Sequence, residues 1–263
     1  MPGLITLTTD FGLRDPFVGI MKGVLLSVCP SARLVDLTHE VPPQDILAGS
    51  LVLEAATPFF PPGTVHLAVV DPGVGSARRA IAVRASGCYF VGPDNGLFTF
   101  ALEGAGWTAV SVTAPEYRLA EVSRTFHGRD VLAPAAAYLA AGVPLERLGP
   151  AVSDPERLRR PGCRLEGGEL VGEVLNADHF GNLITSIPAA RLAEIPGRGG
   201  VVLEVAGHRL RGPAVDAYAE GGDGEPAVIV GSTGRLEIFV RAGSARDHLG
   251  AGRGAIVRVR RAE

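Results

Sequence analysis

The sequence predicts an α/β protein whose first half forms a parallel, doubly wound sheet and whose second half forms a small antiparallel barrel or sandwich. Two observations lead to this prediction. In the first half, short β-prone runs alternate with helical patterns, which is typical of parallel strands joined by crossover helices. In the second half, short apolar runs are separated by Gly and Pro turns, which is typical of antiparallel folds.

The first half alternates strand and helix signals in a regular order. Strands are predicted at residues 3–8, 33–38, 65–70, 81–84 and 88–91. The first helix is expected to have Asp15 as its N-cap and Pro16 at its first position, and to stop at Pro30. A second helix is expected from residue 45 to about 57, and an alanine-rich one from 131 to about 141, capped by Asp130 and ended by Gly142.

The second half contains mainly strand signals. Strands are predicted at residues 170–175, 183–187, 201–205, 227–230, 236–240 and 255–259, and only two short helices fit, at 189–194 and 244–249. Residues 153–165 are rich in Pro and Arg and are the expected linker. We therefore expect one domain at residues 1–155 and another at 166–263.

Composition excludes several classes of protein. Lys and Arg are scattered and the net charge is −3, which argues against a nucleic-acid binder with a concentrated basic face. No apolar run approaches the ~18 residues of a membrane span, and no signal peptide is seen. Cys29, Cys88 and Cys163 are far apart and form neither a disulfide framework nor a CxxC pair. These features predict a soluble, cytoplasmic protein that acts on a small molecule.

Three polar clusters follow predicted strands of the first half. TTDFG places Asp10 after the first strand, LTHE places His39 after the second, and DPGVGSARR places Asp71 after the third. Ligands of open parallel sheets bind beyond the carboxyl ends of the strands, so these groups would meet at one edge. Taken singly, each Asp is equally well explained as an N-cap or an Asx turn.

Two further motifs carry polar groups in turns. FHGRD puts His127 directly before a predicted helix, where a loop histidine without a function is an equally simple interpretation. DHFGN joins Asp178, Phe180 and Asn182 between two strands, and it also fits a hairpin turn in which Gly181 supplies a positive φ. The phosphate loop GxxxxGK[ST], the zinc helix HExxH and the nucleophile elbow GxSxG are absent. A nucleoside-like ligand would therefore be held by its ribose, its base and its tail.

Taken together, these motifs resemble the adenosine-forming S-adenosylmethionine hydrolases, also called hydroxide adenosyltransferases, which are kin to fluorinase and chlorinase. The similarity runs from TTDFG through VPPQDI, VVDPGVGSARR, VGPDNG, FHGRD and DHFGN to GSTGRLEIFV. The resemblance implies a Rossmann-like N-terminal domain, a β-barrel C-terminal domain, and a homotrimer with active sites at subunit interfaces. It implies hydrolysis of S-adenosyl-L-methionine to adenosine and L-methionine, with no cofactor and no metal.

The resemblance also assigns roles to individual residues. It makes Asp71, Arg78 and His127 the triad that positions the attacking water or hydroxide. The substrate-binding residues that it implies are Asp10 on the ribose hydroxyls with Phe11 beside it, Phe180 and Asn182 at adenine, and Asp178 and Ser232 at the amino-acid end. Gln44 and Thr233 depart from the pattern, because fluorinase has tryptophan and arginine there.

Three rival functions stay open on the sequence. A halogenase-like enzyme would use chloride or fluoride, but in the halogenating relatives the triad's Asp and His are replaced, whereas Asp71 and His127 are present here. A non-catalytic sensor of S-adenosylmethionine or adenosine would need Asp10, Phe180 and Asn182 but no triad. A metal-dependent hydrolase would be built on Asp10, His39, Asp71 and His127.

Overall fold

The chain forms two compact units, Met1–Arg159 and Arg160–Glu263. The protein is described from a computed structural model, which covers residues 3–197, 200–212 and 214–262. Within these ranges, none of the helices is both long and apolar enough to cross a membrane.

The first unit contains a six-stranded sheet flanked by helices on both faces. Its elements are β1 Leu4–Thr9, α1 Phe17–Val28, β2 Arg33–Thr38, α2 Ile46–Ala56, β3 Val65–Val69, β4 Ala80–Ala85, β5 Cys88–Pro93, β6 Thr108–Ser111 and α3 Ala133–Ala140. The strand order is β2-β1-β3-β5-β4-β6. The core on one face joins β1 and β3 to α1 and α3, and the core on the other face contains Leu53 of α2.

The expected all-parallel sheet is wrong for one strand, β4. β2, β1, β3 and β5 are parallel, but β4 pairs antiparallel with both β5 and β6, so the sheet is mixed. The physical reason is the connection between β4 and β5, which consists of Ser86 and Gly87 alone. Parallel neighbours need a crossover of a dozen or more residues, whereas two residues suffice for a hairpin.

Two predicted helix starts are wrong as well. Pro16 is the N-cap of α1 rather than its first residue, because its carbonyl accepts the first helical hydrogen bond from Ile20 N at 2.9 Å, and no side chain caps the helix. Asp15 therefore has no capping role. Asp130 lies inside a π-helical turn, Gly128–Leu132, which precedes α3, and its buried carboxylate accepts hydrogen bonds from Ser123 N and Arg129.

The second unit is a barrel-like antiparallel sheet, as the sequence predicts in outline. Its elements are β7 Arg164–Glu166, β8 Glu169–Ala177, β9 Leu183–Pro188, β10 Val201–Val205, β11 His208–Gly212, β12 Pro226–Val230, β13 Arg235–Val240, α4 Ala245–Leu249 and β14 Ile256–Arg261. The order is β11-β10-β14-β8-β9-β13-β12, with β7 on β8. β11 and β12, at the two ends of this order, also lie next to each other, so the sheet is nearly closed.

Short elements account for the remaining differences. The sequence interpretation missed β6, β7 and β11, which are short or carry many exposed side chains. The predicted helix at 244–249 is confirmed as α4, with Ser244 as its N-cap, but Ala189–Glu194 is a 3-10 helix.

The start of the expected linker packs on the first unit. Asp154 pairs with Arg79 at 2.8 Å, and the backbone nitrogens of Glu156 and Leu158 donate to Asp94 and Thr99, each at 2.8 Å. Part of the Pro- and Arg-rich segment that suggested a linker therefore has defined hydrogen-bond partners in the first unit.

Candidate active site

Three polar residues lie just beyond the carboxyl ends of neighbouring strands in the first unit. Asp10 follows β1, His39 follows β2 and Asp71 lies just beyond β3. The registers align these ends, because Thr8 pairs with Thr38 and Thr9 pairs with Val69. Asp10, His39 and Asp71 therefore lie at the same edge of the sheet, as the strand pattern predicts.

His39 has structural partners at this edge. Its ring is buried, its Nδ1 lies 2.8 Å from Thr9 Oγ1, and its Nε2 lies 3.0 Å from Asp36 Oδ1. These contacts tie β1 to β2 and leave the ring little freedom to reach a ligand. Within the described part of the chain, no three His, Cys, Asp or Glu side chains are arranged to hold a metal ion.

Asp71, Arg78 and His127 form one hydrogen-bonded cluster. Arg78 Nε donates to Asp71 Oδ1 at 2.8 Å, Arg78 Nη2 donates to Asp71 Oδ2, and Nη2 also lies 3.1 Å from His127 Nδ1. The two charged side chains are largely buried, with 5% of Asp71 and 10% of Arg78 exposed. A bidentate pair of this kind fixes both side chains in one plane.

Arg78 determines the tautomer and the charge of His127. Guanidinium nitrogens are donors only, so His127 Nδ1 must accept and the proton of the neutral ring must sit on Nε2. Burial, followed by the positive charge of Arg78, lowers the pKa of His127 below its ordinary value. The ring is therefore neutral at physiological pH and presents an Nε2–H donor.

Asp10 is held by a strained turn of the VPPQDI motif. Gln44 N donates to Asp10 Oδ2 at 2.8 Å, and Gln44 has φ +66° although it is not glycine. Asp45 N donates to the Pro42 carbonyl at 3.0 Å, which closes the turn, and Asp45 Oδ1 then caps α2 through Ala48 N. A non-glycine residue at positive φ is uncommon, and such residues cluster at functional sites.

Phe11 belongs to a cluster of three rings near the end of β1. Its ring centroid lies 5.8 Å from that of Phe17 and 6.0 Å from that of Phe126, and all contacts in the cluster are edge to face. Phe126 directly precedes His127. The aromatic cluster therefore links the segment after β1 to the segment that carries the histidine.

In the second unit, the DHFGN motif forms a compact loop between β8 and β9. Asp178 Oδ1 accepts from Phe180 N at 2.9 Å and Asn182 N at 2.8 Å, and Oδ2 accepts from Asn182 Nδ2 at 2.9 Å. Gly181 has φ +83°, as the hairpin interpretation predicts. This Asx-type loop leaves the Phe180 ring 73% exposed.

The loop borders a cavity of about 650 Å³ within the second unit. Asp178, Phe180 and Asn182 line one side, and the other lining residues are Tyr218, Ala219, Phe239, Val240, Arg241, Ala242 and Gly243. The lining is largely apolar and aromatic, with a few polar groups, which is typical of small-molecule sites. The sequence interpretation missed Tyr218, although an aromatic residue within a Gly- and Ala-rich loop was an available signal.

Ser232 lies apart from the lining of this cavity. It is exposed in the turn that joins β12 to β13, where Gly231 N donates to the Arg235 carbonyl at 2.9 Å. Of the four residues that the resemblance implies in this unit, the structure thus brings Asp178, Phe180 and Asn182 together around the cavity and leaves Ser232 on a neighbouring turn.

Comparisons with known proteins agree with this arrangement. The models of the SAM hydroxide adenosyltransferase N- and C-terminal domains match residues 5–149 and 172–258. Proteins named (R)-S-adenosyl-L-methionine hydrolase are similar, at 45% identity in Salinispora tropica and 46% in Thermus thermophilus, over 97% and 95% of this chain and 97% of each relative. A fluorinase from Actinoplanes is 32% identical over 89% of this chain and 90% of its own length.

A solved structure resembles the whole chain. The crystal structure of an uncharacterized conserved protein from Thermotoga maritima has a TM-score of 0.90 at 37% identity, and the match covers 98% of this chain and all of that one.

Proposed function

This chain belongs to the SAM hydroxide adenosyltransferase family, and we propose that it hydrolyses S-adenosyl-L-methionine to adenosine and L-methionine. The hydrolases of Salinispora and Thermus support this reaction, because they are more similar to this chain than the fluorinase is. The observation that carries the proposal is the cluster in which Arg78 joins Asp71 to His127.

The reaction requires a water molecule held in the right orientation, and it requires no general acid. A sulfonium leaves as a neutral thioether, so water oxygen bonds to the 5′ carbon while the electron pair of the carbon–sulfur bond goes to sulfur. Presenting the water in line, opposite the sulfur, lowers the barrier by fixing position and orientation. Because the leaving group needs no protonation, we propose that neither a metal nor a cofactor takes part.

The cluster has the groups that this orientation needs. The Nε2–H of His127 donates to the water oxygen and so directs an oxygen lone pair toward carbon. Asp71 accepts two hydrogen bonds from Arg78, and each carboxylate oxygen keeps a second lone pair for a proton of the water. The proton lost during attack passes to Asp71 and then to solvent. This proton carries away the positive charge that the sulfonium loses when it becomes a thioether. General-base assistance of this kind is worth ~10²–10⁴-fold.

The remaining residues are assigned to substrate binding. Asp10 accepts hydrogen bonds from the ribose hydroxyls, and Gln44 N leaves its other carboxylate oxygen available. Phe180 and Asn182 hold adenine, which the exposed ring and the cavity beside it support. The assigned roles of Asp178 and Ser232 at the amino-acid end, and of Phe11 beside the ribose, rest on the family resemblance.

We further propose a homotrimer whose sites combine the first unit of one protomer with the second unit of its neighbour. Leu13, Phe17, Ile20 and Val74 are large apolar side chains exposed on the first unit near the Asp71 loop and α1. Apolar side chains that form one exposed patch mark surfaces that another chain covers, and we propose that these four belong to such a patch. The location is proposed to be the cytoplasm, because all three cysteines carry free thiols.

Mixing two variants tests the shared site at a substrate concentration well below KM, where Asp71→Asn is impaired in turnover and Phe180→Ala is impaired in binding. In a random mixture of Asp71→Asn and Phe180→Ala chains, about a quarter of the shared sites would combine two intact halves, so activity would return on mixing. Activity that stays at the level of the separate variants would contradict a shared site. Light scattering should give three times the 27.3 kDa of one chain.

Identification of the products tests the reaction itself. The protein should convert S-adenosylmethionine into equal amounts of adenosine and methionine, with or without EDTA, and should leave S-adenosylhomocysteine intact because its sulfur is neutral. The names of the relatives specify the R sulfonium, so a mixture of both sulfonium epimers should be depleted in R. Release of adenine, or of a halogenated nucleoside when chloride or fluoride is added, would contradict the proposal.

A further inference from the structure

The outward face of β13 carries three residues that hold one segment in place. Leu236, Ile238 and Val240 point into the barrel core, so Glu237 and Phe239 of the strand, with Arg241 just after it, face the other way. Residues 217–223, which we call the strap, lie across this outward face. Each of the three outward side chains contacts the strap.

The contacts between β13 and the strap are specific. Tyr218 donates its hydroxyl hydrogen to Glu237 Oε2 at 3.2 Å, and its ring packs edge to face on Phe239 with centroids 5.0 Å apart. Arg241 donates to Asp223 Oδ1 at 2.7 Å and to the Ala219 carbonyl at 2.9 Å. Since Tyr218 and Ala219 also line the cavity, the strap is one of its walls.

Glu237 is an unusual residue at this position because it is 6% exposed. Burial raises the pKa of Glu237, and the charge of Asp178 raises it further. Gly231 makes room for this carboxyl group, because a Cβ at Gly231 would overlap it. Burial of a carboxyl group is unfavourable without a hydrogen-bond partner, and Tyr218 supplies one.

We propose that Glu237 is a positioning residue, which fixes the Tyr218 ring as a wall of the nucleoside cavity through the hydroxyl hydrogen bond. Glu237 does not line the cavity, so it acts on the ligand through Tyr218. The hydroxyl is what distinguishes tyrosine from phenylalanine here, since without its hydrogen bond the Tyr218 ring itself would be held only by packing on Phe239. The inference rests on the proposed function, because it takes the occupant of the cavity to be the adenosine part of the substrate.

Calorimetric binding of adenosine tests the inference with matched substitutions. Tyr218→Phe and Glu237→Leu each remove one partner of the hydrogen bond and should weaken adenosine binding about three- to tenfold. Glu237→Gln keeps an acceptor for the hydroxyl and should stay within about twofold of wild type. The double variant Tyr218→Phe/Glu237→Leu should bind about as weakly as the worse single variant, because both act on one bond.

Two readouts separate positioning from a merely structural role. Positioning raises Kd and KM while kcat and the binding stoichiometry stay unchanged, whereas partial unfolding lowers the stoichiometry and leaves Kd as it was. Glu204→Leu is the control, because Glu204 lies on β10 of the same sheet and pairs with Arg209 outside the cavity lining. It should leave the adenosine Kd unchanged.

The possible outcomes distinguish the inference from the function on which it rests. If wild type binds adenosine and Tyr218→Phe binds it equally well, the inference is overturned while the proposed function stands. A Glu237→Gln variant as weak as Glu237→Leu would also overturn it. If Glu237→Leu does not fold, Tyr218→Phe and Glu237→Gln decide the question. If wild type forms adenosine and methionine but does not bind adenosine, the inference is overturned while the proposed function stands, and failure to form these products overturns both.

Discussion

The triad of the first unit and the cavity of the second unit are organised by different forces. Asp71, Arg78 and His127 are largely or partly buried, come from two separate segments and are joined by hydrogen bonds that involve full charges. The cavity is bordered by aromatic rings. In its Asp178 loop, the Asp178 carboxylate accepts hydrogen bonds from groups at most four residues away. The first arrangement gives precise placement of donors and acceptors, and the second gives a largely apolar surface bordered by aromatic rings.

This difference suggests a division of labour between the units. Charged groups in a dry, preorganised site act most strongly on charge that changes during reaction. Aromatic walls contribute mainly to ground-state binding of a planar base. Substitutions in the triad should therefore change turnover, and substitutions in the cavity should change affinity.

The largest effect is expected from the triad. Asp71→Asn and His127→Ala should each lower kcat by about 10²-fold or more, because the first removes the proposed base and the second removes the proposed donor to the water. Adenosine affinity should stay within a few-fold of wild type. The double variant should be little worse than the worse single one, since residues that act as a unit are not additive. Single-turnover kinetics beside calorimetry on the same samples would measure both quantities.

A neighbouring ion pair provides the control for this experiment. Arg79 follows Arg78 and pairs with Asp154, whose side chain is 79% exposed. Asp154→Asn removes the same charge from a similar pair, and it should change kcat less than twofold because exposed pairs contribute little. If Asp71→Asn weakened adenosine binding and left kcat unchanged, the division of labour would be reversed.

A smaller effect is expected from substitutions in the cavity, and it should change affinity rather than turnover. Phe180→Ala should weaken adenosine binding about ten- to a hundredfold, since stacking of a base on an aromatic ring is worth ~1–3 kcal/mol. Stability should hardly change, because the ring is mostly exposed. Phe59→Ala removes a ring that is 82% exposed in the first unit and should leave both adenosine binding and melting temperature unaltered. Loss of kcat at saturating substrate in Phe180→Ala would contradict a role limited to binding.

The smallest effect is a pH dependence that belongs to the triad alone. Burial and Arg78 lower the pKa of His127, so the ring becomes protonated only below the ordinary histidine value of about 6.5. Protonation of Nδ1 breaks its bond with Arg78, so kcat/KM should fall below that pH by at most about tenfold per unit. The folded state also takes up this proton less readily than the unfolded state, so the histidine lowers stability as the pH falls below about 6.5.

A pH–rate profile of wild type and His127→Gln would measure this dependence. The fall of kcat/KM at low pH should disappear in His127→Gln, whose slow residual hydrolysis should not depend on pH in this range. An acid limb centred above pH 7 would contradict the lowered pKa of His127.

The sequence predicts those parts of the site that depend on local chemistry. The strand pattern places Asp10 and Asp71 at one sheet edge, and the DHFGN hairpin follows from the positive φ that Gly181 supplies. The contact of Arg78 with His127 joins residues 49 positions apart, and spacing alone cannot predict such a pairing. The triad was expected only from the family resemblance.

Other features were missed for different reasons. The π turn that starts at Gly128 has the composition of an ordinary helix, so the sequence places a cap at Asp130 instead. Tyr218 lies in a segment with little periodicity, and its importance depends on β13, which folds over it from later in the chain. The direction of β4 was misjudged because strand propensity does not encode orientation, whereas the two-residue connection to β5 does.

The absence of a side chain at Gly231 links three positions in the evolution of this chain. A side chain there would overlap the carboxyl group of Glu237, so a change at residue 231 requires that carboxyl group to move away or residue 237 to become shorter. A shorter residue 237 in turn leaves the hydroxyl of Tyr218 without its acceptor. Relatives that have lost this glycine are therefore expected to differ at residue 237 or residue 218 as well.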